Sequence, residues 1–148
     1  MGPLSELASA TAEDTISVGL RIGQNCRRGA VIALEGPLGS GKTTLVKGLA
    51  RALEVEEPIT SPTFTLISQY RGLLEGRPVD LFHLDLYRLV HERELDDLGL
   101  EELMGGQGIT VIEWGEKAAS LLPEDAVRVA IELAPDGTRR IRVAGLAI

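Results

Sequence analysis

The chain has 148 residues, of which 44% are hydrophobic and 25% are charged, a balance typical of a soluble globular domain. The formal net charge of −7 argues against a protein that binds nucleic acid by itself, because such proteins usually present a basic face. The apolar runs are too short to cross a bilayer, no secretion signal is recognisable, and the single cysteine excludes an intramolecular disulfide. We therefore expect one domain, 1–148, in the cytoplasm and with no membrane association.

The first elements expected along the chain are a helix, a strand and a second helix. Thr11 is suited to be the N-cap of the first helix, since acidic residues follow it in the first turn. The continuous apolar run 30–34 is typical of a buried parallel strand. Leu45, Leu49 and Leu53 then recur at helical spacing, so the sequence predicts strand, glycine-rich segment and helix in that order.

The glycine-rich segment 36–43 reads G-P-L-G-S-G-K-T and matches the phosphate-binding loop G-x-x-x-x-G-K-[ST]. Its glycines allow successive backbone N–H groups to surround an anion, and the helix that follows adds its positive N-terminal dipole. Lys42 is expected to contact the β- and γ-phosphates, and the Thr43 hydroxyl to bind Mg²⁺. The expected nucleotide contacts in this region are Gly36, Leu38, Gly39, Ser40, Gly41, Lys42, Thr43 and Thr44.

An antiparallel hairpin is expected next. Alternating residues predict a strand over 63–70, two glycines and a proline predict a loop over 71–78, and a second strand is expected over 79–87. The remaining predicted elements are one or two acidic helices over 92–104, a buried strand at 109–112, a short helix at 117–122 and a final hairpin formed by 127–133 and 139–143. This order predicts an α/β fold, a P-loop NTPase-like three-layer sandwich whose mixed sheet includes antiparallel hairpins.

Two acidic residues are candidates to organise Mg²⁺ and water, which a phosphate-binding loop requires. Glu113 ends the apolar run 109–112, and we expect it to bind Mg²⁺ directly or through water, or to activate the attacking water. The alternative is a solvated carboxylate at a strand end. Asp85 shares a predicted strand face with His83 and Tyr87, which suggests a polar face lining a site, unless that face is simply exposed. For His83 the favoured interpretation is a hydrogen-bonded structural histidine.

Three further residues have both a functional and an ordinary interpretation. Ser61 and Thr63 are candidates to sense the γ-phosphate, as switch loops do, although serine and threonine are also common in turns. Trp114, the only tryptophan, follows Glu113 and is either a residue near the nucleotide or a partner, or a packing residue.

Four segments together resemble the TsaE family: the loop 36–44, S-P-T-F-T at 61–65, H-L-D-L-Y-R at 83–88 and I-E-W at 112–114. The resemblance implies a small ATPase of the bacterial cytoplasm, with ATP and Mg²⁺ as ligands. It implies a role in making N6-threonylcarbamoyladenosine at position 37 of tRNAs that read codons beginning with A. TsaD-like and TsaB-like partners would carry out the transfer, ATP hydrolysis would reset their complex between turnovers, and tRNA would be met only through that complex.

The family pattern also implies roles for individual residues. Lys42, Asp85 and Glu113 match its catalytic residues, and Thr43 and Glu113 match its Mg²⁺ site. The further nucleotide contacts that the resemblance suggests are Thr11, Ser61, Thr63, Trp114 and Arg139. Pro37 and Ser40 replace the usual aspartate and alanine of the loop, and Pro37 removes one N–H that could contact phosphate.

Two other functions remain open at this point. A small-molecule kinase fits the size of the chain and its phosphate loop, but the acidic stretch 92–104 contains only Arg93 where a kinase lid usually carries several arginines. A nucleotide-gated assembly module without catalysis would use the same residues. Arg88 is a candidate arginine finger in cis, and a partner is the alternative source.

Overall fold

The computed structural model describes residues 2–62 and 66–148, and these contain one seven-stranded sheet with helices. The strands are β1 (Leu4–Ser9), β2 (Val31–Glu35), β3 (Ile67–Leu74), β4 (Arg77–Asp85), β5 (Ile109–Glu113), β6 (Val127–Leu133) and β7 (Arg139–Ala144). The helices are α1 (Ala12–Asn25), α2 (Lys42–Ala52), α3 (Glu94–Asp97) and α4 (Leu100–Met104), with a 3₁₀ helix at Gly115–Leu121. None of the described helices has the length and apolar character that a bilayer span requires.

The sheet is mixed, with the strand order β1–β7–β6–β2–β5–β4–β3. The central strand β2 pairs in parallel with β5 and β6, and β4 pairs in parallel with β5. The β3–β4, β6–β7 and β1–β7 pairs are antiparallel. The predicted α/β class and mixed sheet with hairpins are therefore confirmed, and the carboxyl ends of the parallel strands lie together at one edge.

Two apolar cores lie on opposite faces of this sheet. Ile32 and Val111 belong to the core that includes α1 and α2, whereas Val31 and Ile112 belong to the core that includes α3, α4 and the 3₁₀ helix. Successive residues of a strand point to opposite faces, so the alternation defines three layers. Helices α1 and α2 pack so closely that a Cβ on Gly48 would lie 1.9 Å from the Ile16 carbonyl oxygen.

The predicted loop over 71–78 is wrong. Strand β3 continues to Leu74 and β4 begins at Arg77, so the connection is the tight turn at Glu75 and Gly76, whose φ angles are 53° and 77°. Gly72 misled the prediction, since it serves packing rather than a turn: a Cβ there would lie 2.2 Å from the Leu53 carbonyl oxygen.

Other boundaries also differ from the predictions. Strand β4 ends at Asp85, so Tyr87 is not part of the strand face that His83 and Asp85 share. The first described residue of β3 is Ile67, and the expected start at 63 falls outside the described residues. Strand β1 was not predicted, because its sequence shows little alternation and its pairing partner is at the other end of the chain. The short helix expected at 117–122 is the 3₁₀ helix at Gly115–Leu121.

Candidate phosphate and magnesium site

The loop between β2 and α2 has the backbone that an anion cradle needs. Gly39 and Gly41 have φ angles of 77° and 107°, in the left-handed region that side chains disfavour. Gly41 is the N-cap of α2, so Lys42 begins the helix directly behind the loop. The first N–H groups of α2 and the positive end of its dipole therefore face the loop, an arrangement that favours phosphate.

Arg139, the first residue of β7, supports this loop from its outer side. Its Nε donates a hydrogen bond to the Ser40 carbonyl at 2.7 Å, and one terminal nitrogen donates to the Gly39 carbonyl at 3.3 Å. These bonds from a charged group hold two successive peptide units in place. The contact explains how a residue so distant in sequence belongs to the candidate site.

The side chain of Lys42 is buried and folded back onto its own loop. Its Nζ donates to the carbonyls of Gly36 and Pro37, at 2.7 and 3.0 Å, and lies 4.2 Å from the centre of the Trp114 ring. Burial lowers the pKa of Lys42, while the negative charges of Glu113 and two further acidic residues oppose that shift. The ammonium group thus lies between two backbone carbonyls and an aromatic ring at the site.

Glu113, Thr43 and Ser61 form a hydrogen-bonded chain beside the loop. The Thr43 hydroxyl donates to Glu113 Oε2 at 2.7 Å, and the hydroxyls of Thr43 and Ser61 are 2.8 Å apart. Because the Thr43 proton points to the carboxylate, Ser61 is the donor in the second bond. Glu113 is 3% exposed, so it is not the solvated strand-end carboxylate that the sequence left open.

A second group holds the same oxygen of Glu113. His83 is fully buried, and its Nε2 lies 2.6 Å from Glu113 Oε2. The sequence interpretation of a hydrogen-bonded histidine is thus confirmed, but the partner is the candidate Mg²⁺ ligand itself. The H-x-D spacing placed His83 and Asp85 on one strand face but gave no signal for a contact with Glu113.

Asp85 lies next to Glu113 on the adjacent strand, with which it is in register. Its Oδ1 accepts a hydrogen bond from the Tyr87 backbone N–H at 3.0 Å. Burial raises the pKa of Asp85, the Tyr87 N–H lowers it, and the charge of Glu113 raises it again. The carboxyl is thus partly withdrawn from water, as expected of a group that exchanges protons with a bound water.

A cavity of about 480 Å³ lies at the carboxyl ends of β4 and β5. The predicted site residues that line it are Leu38, Gly39, Gly41, Lys42, Thr43, Thr44, Ser61, Asp85, Glu113, Trp114 and Arg139. Arg88, the candidate arginine finger, also lines it, together with Tyr87, Pro62 and Leu66. Sequence reasoning did not name Pro62 or Leu66 as site residues, although both flank the Ser61 segment.

Three of the predicted residues that the structure describes do not line the cavity. Gly36 and Ser40 contribute backbone to the loop, but neither lines the cavity. Thr11 does not line it either: its hydroxyl accepts from the Asp14 N–H at 3.1 Å and caps α1 as predicted. Thr63 lies outside the described residues.

The donor set suits Mg²⁺ bound together with a nucleotide. Within 2–62 and 66–148, no three histidine, cysteine or acidic side chains cluster to form a self-sufficient metal site. Mg²⁺ in nucleotide sites usually takes one or two protein oxygens, the remainder being phosphate and water. The Thr43 hydroxyl and the Glu113 carboxylate, 2.7 Å apart at the cavity, are such oxygens.

The comparisons with known proteins all match the same family. The family model "Threonylcarbamoyl adenosine biosynthesis protein TsaE" matches residues 9–141. The tRNA threonylcarbamoyladenosine biosynthesis protein TsaE of Treponema pallidum is 45% identical over 136 residues, which cover 92% of this chain and 97% of that protein. The protein of that name from Nostoc is 41% identical, covering 95% and 85%. The crystal structure of Bacillus subtilis YdiB matches with a TM-score of 0.77 and 31% identity, covering 99% of this chain and 88% of that one.

Proposed function

The chain belongs to the TsaE family of tRNA threonylcarbamoyladenosine biosynthesis proteins, and from this premise we propose that it is the ATP-binding and ATP-hydrolysing subunit of that process. It acts in the cytoplasm on a complex of TsaD-like and TsaB-like proteins and permits repeated turnover. The modified nucleoside is N6-threonylcarbamoyladenosine at position 37 of tRNAs that read codons beginning with A. With a net charge of −7, the chain meets tRNA through its partners.

The observation that carries the proposal is the Thr43–Glu113 hydrogen bond beside the phosphate loop. It joins the last residue of the G-K-T sequence to the acid at the end of β5, which are 70 residues apart in sequence. In P-loop proteins these two groups hold Mg²⁺ against the β- and γ-phosphates. A bound Mg²⁺ would supply positive charge against the charge that develops on the phosphate oxygens.

The other residues of the cavity have complementary roles in this proposal. Lys42 contributes a second positive charge at the phosphates, and the N–H groups of the loop hold them in place. Asp85 orients the attacking water and accepts its proton, since its carboxylate lies beside Glu113 at the cavity wall. Ser61, hydrogen-bonded to Thr43, couples the occupancy of the site to the segment that follows it.

The decisive test combines hydrolysis with tRNA modification. Phosphate release from ATP is measured for the chain alone and with TsaD-like and TsaB-like partners, and modified nucleoside is counted per complex. We expect slow hydrolysis alone, faster hydrolysis with the partners, and a Lys42→Ala variant that stops after the first modification cycle. Hydrolysis unaffected by the partners, together with repeated cycles in Lys42→Ala, would refute the proposal.

The non-catalytic assembly module differs only in whether the site turns over ATP. A single-turnover assay of wild type and Glu113→Ala separates the two, because an ATPase requires measurable hydrolysis by the wild type and a slower rate in the variant. Equal rates near zero would identify a module that binds nucleotide without hydrolysis. A phosphorylated metabolite instead of free phosphate would identify a kinase.

A further inference from the structure

His83 is a buried polar residue on a strand face whose preceding residues are aliphatic. On β4 it follows Val79 and Leu81 on the face that packs against the α1–α2 core, and both of those residues are buried. His83 is itself 0% exposed. An imidazole at such a position costs free energy unless its polar atoms are engaged, so its presence needs a specific reason.

The polar atoms of His83 are engaged on one side only. Nε2 lies 2.6 Å from Glu113 Oε2, whereas Nδ1 has no hydrogen-bond partner among the described residues. A carboxylate oxygen only accepts, so Nε2 carries a hydrogen and donates it to Glu113.

Glu113 Oε2 therefore receives two hydrogen bonds, one from Thr43 and one from His83. The donors approach from different elements, α2 and β4, and one oxygen held by both has little freedom to rotate. Groups behind a metal ligand commonly fix its orientation in this way, and their removal typically weakens metal binding by about 10–100-fold.

We infer that His83 is a positioning residue for the cation site: its Nε2–H holds the Glu113 carboxylate beside Thr43 so that the pair is ready for Mg²⁺ bound with a nucleoside triphosphate. The inference rests on the proposed function. His83 does not touch the nucleotide in this account, and it acts only through Glu113. Its effect should thus appear in the response to Mg²⁺ rather than in metal-free nucleotide binding.

The test compares His83→Gln, His83→Asn and His83→Leu with the wild type. Glutamine reaches far enough to place an N–H near the position of Nε2, asparagine is too short, and leucine has no donor. Thr110→Val is the matched control, because the buried Thr110 hydroxyl has no hydrogen-bond partner among the described residues and lies on neighbouring β5.

A non-hydrolysable ATP analogue is bound first in EDTA and then titrated with Mg²⁺, with Trp114 fluorescence as the readout. We expect the half-saturating Mg²⁺ concentration to rise about tenfold in His83→Leu and His83→Asn, and less than about threefold in His83→Gln and Thr110→Val. Affinity in EDTA should be the same in all variants. If His83→Leu does not fold, the glutamine–asparagine pair decides the question.

Equal Mg²⁺ responses in the glutamine and asparagine variants would overturn the inference, because a merely structural histidine would change thermal stability alone. A wild type whose nucleotide binding is indifferent to Mg²⁺ would instead contradict the proposed function. The two failures are therefore distinguishable in one set of titrations.

Discussion

The two ends of the β4–β5 strand pair differ sharply in chemistry although both are buried on the same face of the sheet. At the beginning, Leu81 and Ile109 lie in register and belong to the apolar core beneath α1 and α2. At the carboxyl end, His83 and Glu113 continue those two strands and are equally withdrawn from water. The first half of the strand pair stabilises the fold by burying apolar side chains. The second half buries polar side chains instead, and these lie against the phosphate loop. We expect stability and function to separate along the length of these strands.

The largest expected effect is on stability, from Leu81→Ala at the apolar end. Leu81 is fully buried, so truncation should lower the free energy of unfolding by about 2–5 kcal/mol. Nucleotide affinity of the folded protein should stay close to that of the wild type. Urea unfolding and a binding titration at low temperature check both parts. A loss of nucleotide affinity without a loss of stability would contradict the expected separation of stability and function along these strands.

At the polar end, Asp85→Asn should lower phosphate release about 100-fold without destabilising the fold. Burial raises the pKa of Asp85, so the native carboxyl binds its proton more tightly than the unfolded one does. The stability that this provides is present below the unfolded-state pKa, about 4, and is lost as the pH rises through the higher native-state pKa.

The asparagine variant should therefore gain stability relative to the wild type as the pH rises above about 4, up to a plateau. Urea midpoints across that pH range measure the difference. The account of Asp85 is contradicted if the stability of the asparagine variant minus that of the wild type is constant with pH, or if it falls as the pH rises.

A smaller effect is expected for the support of the loop by Arg139. Arg139→Ala removes two hydrogen bonds to loop carbonyls and should weaken nucleotide binding about fivefold, equivalent to about 1 kcal/mol. Arg140→Ala is the matched control, since Arg140 is the exposed neighbour on the same strand. Calorimetric titration measures the nucleotide affinity of both variants. Equal affinities would show that Arg139 does not support nucleotide binding.

The smallest effect concerns Cys26 at the end of α1, which belongs to the same apolar core as Leu81. Burial raises the pKa of its thiol to about 12, so very little thiolate exists at neutral pH. Iodoacetamide should modify the native protein only as fast as it opens, and modification should accelerate in Leu81→Ala. Labelling of the native protein at the rate of a free thiol would show that this part of the core is loosely packed.

The local parts of the fold and site were predictable from sequence. The glycine-rich loop is contiguous, and Glu113 ends a strand that its own residues specify, so motif and periodicity were sufficient to locate both. Gly72 was misread because a glycine in a turn and a glycine beneath a helix end are alike in sequence. Only the approach of the Leu53 carbonyl distinguishes them.

The non-local parts were not predictable by the same reasoning. Strand β1 exists because Leu4 and its neighbours pair with β7, whose residues lie at the far end of the chain. The support of the loop by Arg139 likewise depends on where β7 lies in the sheet. His83 was placed on a polar strand face, but its partner became evident only when β4 and β5 lay side by side.

The most direct test of the account is the effect of Mg²⁺ on ATP binding, measured by calorimetry in Mg²⁺ and in EDTA for the wild type and Thr43→Val. Valine has nearly the shape of threonine but lacks the hydroxyl that bonds to Glu113. We predict that Mg²⁺ strengthens ATP binding by the wild type and that Thr43→Val loses most of this gain. An equal gain in both proteins would contradict the claim that the carboxyl end of β5 and the start of α2 form the magnesium site.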